Sequence, residues 1–69
     1  MSYNEKNNFL TVVEVARLLR LSILTIYKYI REQKLKALEF GGHYRIEKSS
    51  LREFINDHRV VEGRERNAQ

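Results

Sequence analysis

The chain contains no cysteine, which excludes a disulfide framework, a thiolate metal site and thiol redox chemistry. Its uninterrupted apolar runs are three residues or fewer, whereas a helix that crosses a bilayer needs roughly 20 apolar residues. Residues 1–8 are polar and contain neither the apolar core nor the cleavage site of a signal peptide. We therefore expect a cytoplasmic protein with no membrane association.

The chain is also short, and its 69 residues, 42% hydrophobic and 32% charged, predict one small globular domain. Large substrate pockets, two-domain clefts and cofactor-binding folds need more chain than this. The local patterns predict a flexible polar leader (1–8), a structured block (9–58) and a flexible charged tail (59–69). No internal repeat is visible.

A capping box marks the start of the first helix. Thr11 lies three residues before Glu14, the Thr-x-x-Glu spacing in which two side chains satisfy free backbone donors at a helix start. Apolar residues then recur at helical spacing and predict a helix over 11–19. They are Val12, Val15, Ala16 and Leu19.

A second helix is predicted over 23–32, after a break of about three residues in which Ser22 is a good N-cap. Two short helices joined in this way form a helix-turn-helix unit. The turn lacks the customary glycine, so Arg20 or Leu21 has to adopt its geometry. The residues that repeat on one face of this helix are Ile26, Tyr29, Ile30 and Gln33.

Beyond residue 33 the hydrophobic period changes. Gly41-Gly42 separates two β-prone segments and predicts a hairpin with strands near 36–40 and 44–47. Ser50 and Glu53 then repeat the capping spacing, and Leu51, Phe54, Ile55 and His58 share one face of a third helix over about 48–58. The predicted fold is α+β and mostly α, with the element order helix, turn, helix, two-stranded hairpin, helix.

Nothing in the sequence has the spacing of a catalytic or metal site. His43 and His58 fall at the predicted hairpin tip and a helix end, with no HExxH or related metal motif. Ser22, Ser49 and Ser50 lie where helix caps belong, and no Gly-x-Ser-x-Gly motif or phosphate-binding loop occurs. We expect neither an enzyme nor a bound cofactor or metal.

The positive charge is concentrated in one part of the chain. The net charge is +4, yet residues 17–45 contain seven basic and two acidic residues and so carry +5, while the remainder carries −1. This segment covers the second helix and the hairpin, an arrangement suited to the phosphates of duplex DNA. The alternative interpretation is an ordinary solvated face.

Four short sequence elements stand out, and they are specific in their order and spacing rather than singly. They are Leu10-Thr11 with Glu14-Val15-Ala16, Ser22 followed by Thr25-Ile26, Lys34-Leu35, and the hairpin segment Gly41-Gly42-His43-Tyr44-Arg45-Ile46. In this arrangement the chain resembles the excisionase-type winged helix-turn-helix, a relative of the MerR-like DNA-binding domain, over about residues 9–57.

The resemblance implies that the second helix reads the major groove and that the wing reaches the minor groove or its phosphates. His43 stands where the family often has arginine. Ile23 and Leu24 stand where it more often has polar residues, so they would meet thymine methyl groups or another protein. The residues implied to bind DNA are Ser22, Leu24, Thr25, Tyr27, Lys28, Arg31, His43 and Arg45.

The implied role is that of an excisionase, a recombination directionality factor that coats attachment-site DNA beside an integrase. The alternative is a small transcriptional regulator with the same DNA-binding mode. Because one recognition helix reads few base pairs, we expect cooperative head-to-tail binding of several copies to double-stranded DNA in the nucleoid. A protein-interaction module that uses Ile23, Leu24 and Val60-Val61 is the rival from another class.

Overall fold

The computed structural model describes residues 8–60. The helices and strands run in the order β1 (Phe9–Leu10), α1 (Val12–Leu19), α2 (Ile23–Arg31), β2 (Leu38–Phe40), β3 (His43–Glu47) and α3 (Lys48–Asp57). Residues 1–7 and 61–69, most of the predicted leader and tail, lie outside the described residues, so their flexibility stays a prediction.

The capping box predicted at the start of α1 is confirmed. The Thr11 hydroxyl accepts a hydrogen bond from the Glu14 backbone N–H at 3.0 Å. In return the Thr11 backbone N–H donates to Glu14 Oε1 at 2.9 Å. These two bonds satisfy donors that the helix itself leaves free, and they fix the point at which α1 leaves β1.

Both helices of the helix-turn-helix end in a Schellman motif, closed by a left-handed residue that is not glycine. After α1, Arg20 has a φ of 59° and the Leu21 N–H donates to the Ala16 carbonyl at 2.9 Å. After α2, Gln33 has a φ of 63° and the Lys34 N–H donates to the Tyr29 carbonyl at 2.9 Å. The left-handed conformation costs about 1–2 kcal/mol outside glycine, and the recovered carbonyl hydrogen bonds offset part of it.

Of the two residues predicted to replace the customary glycine in the turn, Arg20 is the one that adopts the left-handed conformation. The structure also corrects the prediction for Gln33, which was placed on the apolar face of the second helix. Gln33 lies beyond the end of α2 and is exposed. The hydrophobic pattern could not show this, because a polar residue at the correct spacing fits both a helix face and a helix terminus.

The hairpin is confirmed and belongs to a three-stranded antiparallel sheet in the order β1-β3-β2. Phe40 pairs with His43 across Gly41-Gly42, whose φ values of 56° and 88° are those of a type I′ turn. β1 was not predicted, because two residues are too few for a strand pattern. Its Leu10 pairs with Ile46, which makes β3 the central strand.

One core holds the three helices against the sheet. Four side chains at its centre are almost completely buried, and β3 and all three helices contribute to it. Because α1 and α2 are two short helices joined by a tight turn and a hairpin wing follows them, the fold is that of a winged helix-turn-helix. The buried hydrophobic residues are Val12, Val15, Ala16, Ile26, Leu35, Ile46, Leu51 and Phe54.

The third helix begins at Lys48, as predicted, but its N-cap is not the predicted one. Glu47 is the N-cap of α3 and makes no side-chain capping bond, while Ser50 lies inside the first turn, so the interpretation of Ser49 and Ser50 as caps is wrong. Strand pairing of Glu47 with Phe9 holds Glu47 extended, and the helix begins directly after it.

At the other end of α3, His58 has a structural role. Its Nδ1 lies 2.8 Å from the Phe54 carbonyl, and its ring packs against the rings of Phe54 and Tyr29.

We expect Thr11→Ala to lower the free energy of unfolding by about 1 kcal/mol, because it removes the hydroxyl of the capping box. Thr11→Ser keeps that hydroxyl and should stay within a few tenths of a kcal/mol of the parent. Urea unfolding followed by circular dichroism measures both. Equal stability of the alanine and serine variants would show that the cap contributes nothing to the fold.

Candidate nucleic-acid interface

Helix α2 has two distinct faces. Ile26 is fully buried, and Tyr29 and Ile30 pack half-buried against the core. The opposite face carries exposed side chains at positions i, i+3, i+4 and i+7, which form one continuous stripe on a helix. These residues, called the α2 stripe below, are Leu24, Tyr27, Lys28 and Arg31.

The start of α2 is held by the two hydroxyl residues that the sequence placed in the site. The Ser22 hydroxyl accepts from the Thr25 backbone N–H at 3.1 Å, and the two hydroxyl oxygens lie 2.9 Å apart. Ser22 is therefore the N-cap, as predicted. The mutual hydrogen bond occupies part of the hydrogen-bonding capacity of both hydroxyls, and Thr25 is only half-exposed.

An aromatic contact joins the α2 stripe to the wing. The rings of Tyr27 and Tyr44 lie with centroids 6.0 Å apart and planes inclined by 54°, a tilted arrangement within the favourable range for aromatic pairs. Tyr27 nevertheless stays 38% exposed. The same side chain thus packs the hairpin onto the helix and presents part of its ring to solvent.

The wing adds two further predicted residues to this surface. His43 is exposed at the first position of β3, beside the Gly41-Gly42 turn. Arg45 is half-buried, and its Nη1 donates to the Tyr44 carbonyl at 2.8 Å, which leaves other guanidinium donors free. Phe40, opposite His43 in the hairpin, is 58% exposed and was not among the predicted site residues.

A groove runs between α2, the wing and the start of α1. Tyr27 lines it from α2, and His43, Tyr44 and Arg45 line it from the wing. The α1 side is formed by residues 11–13, which the sequence did not assign to the site. No local pattern could have found them, because they reach the groove only through the pairing of β1 with β3.

The ion pairs separate the basic residues into two groups. Lys34 Nζ lies 3.5 Å from Glu32 and Lys36 Nζ lies 3.8 Å from Glu53, and both pairs are largely exposed. Within residues 8–60, Lys28, Arg31 and Arg45 form no ion pair. Within residues 8–60 the α2 stripe and the wing therefore carry cations that no carboxylate of these residues offsets. The same holds for basic residues elsewhere in this part of the chain, which are Arg17, Arg20, Lys48, Arg52 and Arg59.

The described part of the chain holds no group of three or more metal-ligating side chains. No helix among residues 8–60 is long and apolar enough to cross a membrane. A second, apolar groove lies between α1 and α3, lined by Leu10, Leu18, Leu51 and Ile55 with Lys48 and Arg52 at its side. It shares no lining residue with the α2 stripe or the wing.

Residues 9–59 match the helix-turn-helix domain family, and the chain belongs to that family, whose members bind DNA and are typically not enzymes. The match covers the whole described architecture from β1 to the residue after the α3 C-cap. It does not distinguish an excisionase from other members.

Two curated proteins are similar to the chain at 32% identity over 50 residues. They are "Putative DNA-binding protein MT0521" of Mycobacterium tuberculosis strain CDC 1551 / Oshkosh and "Putative DNA-binding protein Rv0500A" of strain ATCC 25618 / H37Rv. Each alignment covers 72% of this chain and 64% of the relative, so the chain spans less than two thirds of their length. No solved structure matches the chain significantly.

The contact between Tyr27 and Tyr44 should be measurable as a coupling energy. In a double-mutant cycle of Tyr27→Ala and Tyr44→Ala we expect about 0.5–1.5 kcal/mol of coupling in the free energy of unfolding, because the rings pack directly. Urea unfolding of the four proteins gives this value. Additive effects within about 0.3 kcal/mol would mean that the wing is not held to α2 by this pair.

Proposed function

We propose that the chain binds duplex DNA sequence-specifically, with α2 in the major groove and the β2–β3 wing at the adjacent minor groove. The observation that carries the proposal is that Lys28 and Arg31 on the exposed α2 stripe and Arg45 on the wing form no ion pair within residues 8–60. Phosphate contacts need cations that no carboxylate already offsets. Membership of the helix-turn-helix family supports the same mode.

The parts of the site have different roles in this proposal. Leu24, Thr25 and Lys28 face the bases, since the first turns of a recognition helix reach deepest into the major groove. Tyr27 and Arg31 flank them, and Ser22 holds the helix start that positions them. His43 and Arg45 contact the wing-side phosphates or the minor groove.

We further propose that the chain acts without catalysis, cofactor or metal, in the cytoplasm and with the nucleoid. DNA recognition of this kind needs shape, charge and base-edge contacts alone. The two mycobacterial relatives carry the words DNA-binding protein in their names, which favours this class of function over an enzyme.

Lys28→Ala should weaken binding to duplex DNA and lower the slope of log affinity against log salt by about one, because the variant loses a positive charge in the groove that releases condensed counterions from the DNA. Lys48→Ala is the matched control. It removes the same charge from an exposed site on α3 that lines the apolar groove and not the α2 stripe, so its salt slope should equal that of the parent chain.

Fluorescence anisotropy with a labelled duplex across a salt series measures both variants. Absence of duplex binding by the parent chain at low salt would refute the proposed function. If Lys28→Ala and Lys48→Ala gave the same salt slope, the major-groove placement of α2 would be wrong even though the chain binds DNA.

Within this function we propose the role of an excisionase, in which several copies bind side by side and recruit an integrase. A single α2 reads few base pairs, so useful specificity requires adjacent sites. The alternative role is a transcriptional regulator with the same contacts.

The exposure of Ile23 at 42% and Leu24 at 78% is the observation that favours the rival, a protein-interaction module. Val60 is exposed as well, while Val61 lies outside the described residues.

Selection of preferred sites from random duplexes tests the arrangement of copies. We expect directly repeated sites and cooperative filling, because head-to-tail neighbours present different surfaces to each other. Binding to one isolated site, or to inverted repeats as a symmetric dimer, would contradict head-to-tail assembly. Stimulation of excision in a reaction with an integrase from a neighbouring gene would support the role of an excisionase over that of a transcriptional regulator.

A further inference from the structure

The first turn of α2 presents an apolar tip. Leu24 is 78% exposed, more than any other large hydrophobic residue among residues 8–60. Ile23 beside it is 42% exposed. The polar residues of the same turn are less free, because the hydroxyls of Ser22 and Thr25 bond to each other and Ser22 also caps the Thr25 N–H. The most exposed large hydrophobic side chain of this turn is therefore a branched hydrocarbon.

The major groove contains one apolar feature. Each base edge presents hydrogen-bond donors and acceptors there, and thymine alone adds a methyl group at C5. An isobutyl side chain pressed against a donor or acceptor removes its water without replacing the hydrogen bond, which is unfavourable. Against a methyl group the same side chain buries apolar surface at no such cost. Leu24 in the groove can thus discriminate by attraction to one base and by desolvation of the others.

We propose that Leu24 is a specificity-determining residue that reads the C5 methyl group of a thymine in the DNA site. The inference rests on the proposed placement of α2 in the major groove. Lys28 lies one turn further along the same exposed stripe, so a cation anchors the helix next to the apolar reader. Because neighbouring base pairs lie about 3.4 Å apart along the duplex, one leucine side chain contacts the methyl groups of one or two neighbouring thymines.

Replacement of thymidine by deoxyuridine tests the contact with the methyl group at each thymidine position in turn. Deoxyuridine pairs like thymidine and keeps the O4 acceptor, but it lacks the methyl group. In the selected duplex each thymidine is replaced singly by deoxyuridine, and anisotropy measures the affinity of the parent chain for every duplex. We expect about fourfold weaker binding at one or two neighbouring positions, the effect of one buried methyl group, and parental affinity at the others.

Leu24→Ala should bind the thymidine duplex more weakly than the parent by at least that factor and should no longer distinguish deoxyuridine at the sensitive positions. Leu18→Ala is the matched control, since Leu18 is also exposed, at 63%, and lies on α1 beside the apolar groove. It should keep the parental pattern. Circular dichroism confirms that the variants fold.

Two results would overturn the inference while leaving DNA binding intact. One is a parent chain that binds every deoxyuridine duplex as tightly as the thymidine duplex. The other is a Leu24→Ala variant that retains the parental sensitivity. If the Lys28→Ala salt slope still changed in either case, α2 would remain in the groove, and Leu24 would be assigned to a contact with another protein.

Discussion

The central position of β3 is the constraint on which the rest of the structure depends. This strand pairs with β1 on one side and β2 on the other, and it continues without a loop into α3. Ile46 on β3 is fully buried in the same cluster as Ile26 of α2 and Val15 of α1. In a domain this small, one buried strand residue that joins sheet and helices contributes to several interfaces at once. Loss of that packing would release the wing and the helix-turn-helix together.

The division of α2 into two faces follows from this core. Burial of Ile26 fixes the rotation of the helix about its axis, and the 3.6-residue period then decides which side chains project outward. Leu24, Lys28 and Arg31 have no alternative orientation once Ile26 is buried. The Tyr27–Tyr44 contact sets the wing against the same face, so that helix and hairpin form one surface rather than two separate ones.

The net charge of a segment does not show which of its cations lie beside a carboxylate. The basic segment 17–45 carries a net +5, but Lys34 and Lys36 each lie beside a carboxylate. Exposed pairs of this kind contribute about 0–1 kcal/mol to stability, yet they lower the local positive potential. On α2 and the wing, Lys28, Arg31 and Arg45 form no ion pair within residues 8–60, so their positive charge stays available to an anionic partner.

The sequence by itself determined the elements whose causes are local. The Thr11–Glu14 capping box, the Ser22 cap, the apolar stripe of α1 and the Gly41-Gly42 turn each depend on residues whose successive members are at most four positions apart in the chain, so a pattern can reveal them. Other features depended on tertiary structure. β1 exists because Leu10 pairs with Ile46. Glu47, rather than Ser50, is the N-cap of α3, because pairing with Phe9 holds Glu47 extended. The assignment of Gln33 to a helix terminus, the ion pair of Lys36 with Glu53, and the contribution of residues 11–13 to the groove also required the fold. In each case the deciding partner lies on another element, or a polar residue satisfies two local patterns equally, and only packing of the whole chain selects between them.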